Sequence, residues 1–240
     1  MKILVCVLMS ISVMTSCKMS AFKNGIKGNG NMISKEITID DYSSISVSNQ
    51  FDIVYTQKTD EKPYLRIEID ENLIDYVSAT VENNKLTIKS TSEINPKFHT
   101  IFTNSTSLYN LSSSGINNIE LKDSIHSENL KISGSGVGNI TAGNLYCENL
   151  EINMSGVADI TLGGETTNSD MSVSGKANIN AYELKSKNAN CSGSGMGYID
   201  LYASERLSAH VSGIGKINYK GNPIDKELST SGIGSIKAKE

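Results

Sequence analysis

The residues that could carry out catalysis in this chain are carboxylates, serines and three histidines. Glycoside cleavage needs two carboxylates on neighbouring elements, and a metal centre needs several His, Cys, Asp or Glu ligands at characteristic spacings. The histidines, at His99, His126 and His210, show no such spacing, and we expect each of them to be structural or solvated. The sequence therefore predicts no metal site, no cofactor and no enzymatic activity.

Seven serine-glycine pairs recur at a regular interval in the second half of the chain. The pairs begin at Ser114-Gly115 and end at Ser231-Gly232, and successive glycines are 21, 20, 19, 20, 18 and 19 residues apart. A serine nucleophile needs a base beside it. No histidine recurs at the same interval, so the serines are interpreted as a structural column and not as nucleophiles.

The repeat also predicts the fold. Four residues after each glycine stands an isoleucine, flanked two positions away by a small residue and by an apolar or small one, which is the period-two pattern of a strand with one buried face. Self-similarity at this length indicates a solenoid. Short strands and glycine corners favour an all-β, right-handed parallel β-helix with coils of about 20 residues. The isoleucines are Ile119, Ile140, Ile160, Ile179, Ile199, Ile217 and Ile236.

Polar residues occupy the outward positions of the repeated strand. They predict one column at Asn139, Asp159 and Asn178 and a second at Thr141, Thr161, Asn180 and Asp200. These columns either bind a repeating polysaccharide through many weak hydrogen bonds or form a solvated face of stacked amides. Asp159 and Asp200 stand two coils apart in different columns, so they do not form a catalytic carboxylate pair. The tyrosines of this half are expected at different positions of the coil, which argues against a sugar-stacking platform.

A third column, directly after each glycine, is almost entirely apolar. If the strand alternates strictly, these side chains form an outward line of about 30 Å, six gaps of roughly 4.8 Å, and such a patch usually marks an interaction surface. Alternatively, a bulge at the glycine turns them into a corner of the core. Lys176 is the one charged member. The apolar members are Ile116, Val137, Val157, Met196, Ile214 and Ile233.

The first half of the chain also alternates apolar and polar residues as strands do, but without the regular serine-glycine pairs. Residues 34–104 are predicted to be a β-rich part of the same domain as the repeats of residues 105–240. Asn83-Asn84 has the composition of a hairpin turn. Residues 91–106 interrupt the alternation and are expected to connect the two halves.

The N-terminus has the pattern of a processing signal. Lys2 precedes an apolar stretch that is too short to span a bilayer, so residues 1–16 are predicted to be a signal peptide. Met14-Thr15-Ser16-Cys17 resembles a lipobox, although Met14 replaces the usual leucine. Lipid on Cys17 would anchor the chain to the cell envelope, where we expect the outer membrane, with its surface and periplasmic faces both open. Residues 17–33 are then a flexible tether.

The net charge of the chain excludes one class of partner. The chain has 22 basic and 26 acidic residues, a net charge of −4. Nucleic-acid binders neutralise phosphates with a basic excess, so no nucleic-acid partner is predicted. The membrane, reached through the lipid, remains as a partner, and the oligomeric state is left open.

Several first-half segments, followed by Ser-Gly-x-Gly-x-Ile repeats, resemble the head GIN domain, described as an auto-transporter adhesin domain. The resemblance covers about residues 35–240 and implies a β-helical envelope protein with no catalytic residues to transfer. The resulting hypothesis is an adhesin-like lipoprotein that binds polysaccharide or another envelope protein. The alternatives are a structural spacer without a ligand and, third, a polysaccharide-active enzyme. The matching segments are Tyr42-Ser43-Ser44-Ile45-Ser46-Val47, Phe51-Asp52-Ile53-Val54-Tyr55-Thr56-Gln57 and Lys85-Leu86-Thr87-Ile88.

Overall fold

The structure is a computed structural model that describes residues 25–239 of the chain. The predicted signal peptide and Cys17 lie outside the described residues. Between residues 25 and 239, no helix is long and apolar enough to cross a bilayer. One short 3-10 helix spans Glu71–Tyr76. The strands are β1 (Ile26–Lys27), β2 (Met32–Thr38), β3 (Ser44–Gln57), β4 (Tyr64–Asp70), β5 (Val77–Glu82), β6 (Lys85–Ser90), β7 (Ile94–Asn95), β8 (His99–Ser105), β9 (Asn110–Gly134), β10 (Val137–Met154), β11 (Val157–Val173), β12 (Lys176–Gly193), β13 (Tyr198–Val211), β14 (Lys216–Lys220), β15 (Asp225–Thr230) and β16 (Ser235–Ala238).

Fourteen strands join into one sheet that winds into a β-solenoid of about six turns. Each of the long strands β9 to β12 continues around the corners of a coil and pairs in parallel with the equivalent strand of the next coil. The coil length of about 20 residues follows from the spacing of the glycines. The prediction of an all-β parallel solenoid from the repeat is therefore confirmed.

The repeated isoleucines stack as expected. Ile140 pairs with Ile119 on one side and with Ile160 on the other, and the same register continues through β12, β13, β14 and β16. Six of the seven side chains, from Ile119 to Ile217, are at most 3% exposed. This column is the central part of a core that runs along the solenoid.

The repeated glycines are required because the coils approach closely at this corner. A Cβ on Gly156 would overlap the carbonyl oxygen of Gly136, which holds the same position one coil earlier. Gly115 in addition has a φ of +109°, in the left-handed region that side chains other than glycine avoid. The serine-glycine corner thus cannot carry a larger residue without a shift of the backbone.

The first half of the chain continues the solenoid. β3 pairs in parallel with β9 over Ser44–Thr56, so it forms the first rung below the repeats. β2, β4 and β8 pair antiparallel beyond it. Buried hydroxyl pairs also stabilise this region: Tyr42, just before β3, and Thr103 of β8 are hydrogen-bonded through Oη and Oγ1 at 2.6 Å. The expected hairpin turn lies between β5 and β6, where Asn83 and Asn84 both have positive φ.

Two expectations about this half were wrong. Residues 25–33, assigned to the flexible tether, are part of the body: β1 pairs with β7, and Gly30 N donates to the buried carboxylate of Asp70 at 2.6 Å. Residues 91–106, expected to be a connection, contain β8, which lies between β3 and β4 in the sheet. In both segments the backbone is held by pairing with other strands. The side-chain pattern, rich in Asn and Gly in the first segment and irregular in the second, did not indicate this pairing.

Candidate functional site

The three histidines of the described chain lie apart from one another. His99 Nε2 lies 3.6 Å from Asp52 Oδ2. His210 Nδ1 is hydrogen-bonded to Ser229 Oγ at 2.7 Å, and the His126 ring stacks on the ring of Tyr146. Between residues 25 and 239, no three His, Cys, Asp or Glu residues come close enough together to hold a metal ion.

The two predicted polar columns are present as straight, outward rows. Asn139 pairs with Asp159, and Asp159 with Asn178, along successive strands. The second row lies two residues further along each strand and keeps the same register; it consists of Thr141, Thr161, Asn180 and Asp200. Several of their polar atoms already bond to one another: Asn178 Nδ2 donates to Asp159 Oδ1 at 2.7 Å. Each such bond uses one of the two N–H donors of an amide.

The apolar column after each glycine is on the outside of the solenoid. Its side chains are between 50% and 84% exposed, and Lys176 in the same row is also exposed. The alternative that a bulge turns these residues into the core is therefore wrong. Over seven coils the row is about 29 Å long at roughly 4.8 Å per coil. We refer to these apolar residues, with Lys176, as the apolar ridge.

The expectation that the tyrosines occupy unrelated positions was wrong for two of them. The register shifts between Ala181 and Lys185, which places Tyr202 beside Lys185 and in the column of Tyr146. The His126 ring stacks on Tyr146 with 5.0 Å between centroids, and Lys185 Nζ lies 4.5 Å from the Tyr202 ring centroid. A count of residues from the glycine does not reveal this alignment, because the bulge between Ala181 and Lys185 changes the register.

A groove that the sequence analysis missed lies along another part of the coil. Its volume is about 690 Å³. One wall, here called the amide wall, is a ladder of four asparagines joined by three hydrogen bonds of 2.8 to 3.0 Å, each from an amide nitrogen to the side-chain oxygen of the asparagine one coil earlier. Each ladder bond uses one of the two N–H donors of an amide. The amide wall consists of Asn129, Asn149, Asn168 and Asn188.

The opposite wall of the groove carries charge. Lys131 Nζ lies 2.6 Å from Glu151 Oε1, and Asn190 Nδ2 donates to Asp170 Oδ2 at 3.0 Å. The hydrogen bonds from Lys131 and Asn153 hold the pKa of Glu151 below its usual range, so Glu151 is an ionised acceptor at neutral pH. We call Lys131, Glu151, Asp170, Asn190 and Ser208 the charged wall.

Larger side chains mark the ends of the groove. Tyr109, 51% exposed, lies at the end nearer β3. Arg206 continues the amide wall at the other end, where its Nε is 3.4 Å from Asp225 Oδ2. Leu130, Leu150, Ser169 and Ala189 line the groove between the walls. A signal for this site was present in the sequence, since an asparagine stands seven residues before the glycine in four consecutive coils.

Comparisons with known proteins agree with this architecture. A putative adhesin from Bacteroides fragilis has a similar structure, with a TM-score of 0.85 and 30% sequence identity, covering 90% of this chain and 100% of that one. A putative lipid binding protein from Parabacteroides distasonis gives a TM-score of 0.76 at 29% identity, covering 90% and 99%. A putative adhesin from the same species gives 0.74 at 26%, covering 89% and 99%.

The sequence itself identifies the family. A search of curated proteins finds no match. The family model described as "Putative auto-transporter adhesin, head GIN domain" matches residues 41–223, which span the first solenoid strand, the groove and most of the apolar ridge. Because that match covers more than half of the chain, the chain belongs to the head GIN domain family.

Proposed function

We propose that this protein is a non-enzymatic lipoprotein of the cell envelope that works as an adhesin-like binding module. The observation that carries the proposal is the apolar ridge, in which six aliphatic side chains stand in water along the length of the repeats. Soluble proteins seldom expose a contiguous apolar surface of this kind unless it contacts a partner. The family and its structurally similar members, named as adhesins, support the same class of function.

The ridge favours another envelope protein as its partner. Side chains on both sides of it are mostly uncharged. The serine column lies on one side, and the row on the other side has two charged members, Asp159 and Lys216, beside Asn118, Asn139, Asn178, Tyr198 and Ser235. Depletion of charge around a central apolar strip is the composition of a protein interface core. An aliphatic row lacks the paired donors and acceptors that recognise sugar hydroxyls, so a polysaccharide fits the ridge less well.

The decisive variant is Val157→Asp with Ile214→Asp, which puts two charges on the ridge. Both side chains are at least 50% exposed, so the variant is expected to unfold at the same temperature as the wild type. Both chains carry Cys17→Ala, which removes the lipid attachment point. The ridge variant should then lose the retention on isolated cell envelopes that the chain with an intact ridge shows, and protease treatment of those envelopes should abolish that retention. The matched control, Asn144→Asp with Asn222→Asp, adds the same charge at exposed positions away from the ridge.

Other results would change the assignment. Retention of the double variant at the wild-type level would show that the ridge is not the binding surface. If the chain with Cys17→Ala and an intact ridge is not retained on envelopes, the solenoid is a structural spacer, the alternative that also agrees with its regular stacking.

Anchorage requires a separate test. We propose that lipid on Cys17 holds the chain in the outer membrane. In the ridge variant Val157→Asp with Ile214→Asp, which removes retention through the ridge, Cys17→Ala should move the protein from the membrane fraction to the soluble fraction. Cys147→Ala in the same background should leave it in place. Membrane association of both variants would rule out the lipid anchor.

A further inference from the structure

We propose that the groove between the amide wall and the charged wall binds an uncharged polysaccharide, with the sugar chain lying along the solenoid axis. The inference rests on the proposed function in treating the protein as a binding module. It goes beyond that function by naming a second site and the chemical class of its ligand.

The walls match the hydrogen-bonding character of sugar hydroxyls. A hydroxyl both donates and accepts. The amide wall offers N–H donors, because the ladder bond of Asn149, Asn168 or Asn188 occupies only one of the two on each amide. The charged wall offers carboxylate acceptors at Glu151 and Asp170. A ligand between them can therefore accept from one wall and donate to the other.

The charges of the groove balance. Its lining residues include two cations, Lys131 and Arg206, and two carboxylates, Glu151 and Asp170. Both cations are already close to carboxylates, at 2.6 Å from Glu151 and 3.4 Å from Asp225. A strongly acidic or basic polymer would meet no net complementary potential here, so the groove favours an uncharged ligand over a polyuronate or a nucleic acid.

The length and the ends of the groove fit a polymer. The coils that hold Asn129, Asn149, Asn168, Asn188 and Arg206 span about 19 Å, four gaps of roughly 4.8 Å. An amide stands two residues from a carboxylate in two neighbouring coils, Asn149 with Glu151 and Asn168 with Asp170. Tyr109 is half exposed at one end and offers a ring face for the C–H side of a sugar. A chain of several sugar residues meets these repeated groups, whereas a single sugar meets only one set.

The rigidity of the walls reduces the entropic cost of binding. The amide wall is held by consecutive side-chain bonds, and Glu151 is held by both Lys131 and Asn153, each at 2.6 Å. Groups that are already oriented lose little freedom when a ligand arrives. The groove is thus organised before binding, as expected for a site and unlike a surface of mobile side chains.

The test uses the chain with Cys17→Ala, which removes the lipid attachment point and leaves the body intact. Its probes are uncharged glucan, mannan and xylan oligosaccharides and, for comparison, a polyuronate, with affinity measured by calorimetry. We expect an uncharged oligosaccharide to bind in preference to the polyuronate. Tyr109→Ala with Asp170→Ala should weaken that binding about tenfold or more, since it removes a ring face and a charged acceptor. Thermal unfolding of each variant confirms that it is folded.

Two controls locate the effect. Tyr146→Ala removes another exposed tyrosine outside the groove and should leave the affinity unchanged. Val157→Asp with Ile214→Asp alters the ridge and should likewise leave it unchanged. The proposal is overturned if the wild type binds none of the uncharged probes, if it prefers the polyuronate, or if the groove variant binds as tightly as the wild type. Envelope retention that still depends on the ridge would then leave the proposed function standing without this site.

Discussion

Asn168 donates a hydrogen bond of 2.8 Å from its amide nitrogen to the side-chain oxygen of Asn149, one coil earlier. Asn188 donates in turn to Asn168 at 3.0 Å, so the amides of successive coils form a continuous chain. The same residues therefore stabilise the stacking of the coils and form one wall of the groove. Stability and binding can be separated because one N–H of each amide makes the ladder bond to the neighbouring coil, whereas the other N–H takes no part in that bond.

Breaking the ladder should destabilise the solenoid measurably. Asn168→Asp removes the donor and sets a carboxylate against the Asn149 oxygen, and we expect a loss of about 1–2 kcal/mol in the free energy of unfolding. Urea denaturation measures it. Asn144→Asp, an exposed site on the same strand as Asn149, should change stability by less than about 0.5 kcal/mol. Equal effects of the two substitutions would show that the ladder adds nothing to the stability.

The isoleucine column should contribute unequally along its length. Ile179 is 1% exposed and has a neighbouring coil on each side, so Ile179→Ala is expected to cost about 2–4 kcal/mol. Ile236 is partly buried, and its strand β16 pairs with β14 alone. Ile236→Ala should therefore cost less in chemical denaturation. Equal losses would mean that a partner or an additional cap covers the last coil.

Cys147 and Cys191 should both be reduced thiols in the folded protein. The structure places them as free cysteines two coils apart and at different positions of the coil. Burial, together with the nearby charge of Asp170, raises the pKa of Cys191 to about 12, and we expect this thiol to resist alkylation until the protein unfolds. Mass spectrometry after denaturing alkylation should find both residues modified. A mass two hydrogens lower without alkylation would establish a disulfide instead.

Asp70 should make stability depend on acid pH. Burial by itself would raise the pKa of Asp70, but the N–H groups of Phe98, Lys97 and Gly30 outweigh it and hold the pKa below the usual value. The unfolded chain therefore takes up the proton first. The stabilisation is complete at neutral pH and is lost as the pH falls below about 4, towards the folded-state pKa.

Asp70→Asn tests this dependence. We expect a loss of about 1–3 kcal/mol at pH 7, because the buried N–H groups lose a charged acceptor, and a smaller difference from the wild type at pH 3. Denaturation curves at the two pH values give both quantities. Asp75→Asn, an exposed site nearby, serves as the control. A difference that stays constant between pH 7 and pH 3 would contradict the assignment.

The regular parts of the fold could be predicted from the sequence because each coil repeats the same physical constraint. An isoleucine four residues after each glycine keeps one face buried, and the glycine permits the close approach of neighbouring coils. β8 was missed because its order comes from pairing with β3 and β4, strands distant in sequence. Tyr202 was misplaced because the bulge after Ala181 changes the register, which a count from the glycine does not reveal.

By itself, the sequence determined the solenoid, its coil length and the existence of a row of apolar residues after the glycines. Local periodicity is sufficient for these, since every coil encounters nearly the same neighbours. Only the tertiary structure decided that Val157 and Ile214 face water, and that the asparagines seven residues before the glycines form a wall opposite Glu151 and Asp170. The direction of a corner side chain depends on how the backbone bends there. The groove between two columns depends on how the coils stack. The spacing of residues along one coil contains neither the bend nor the stacking.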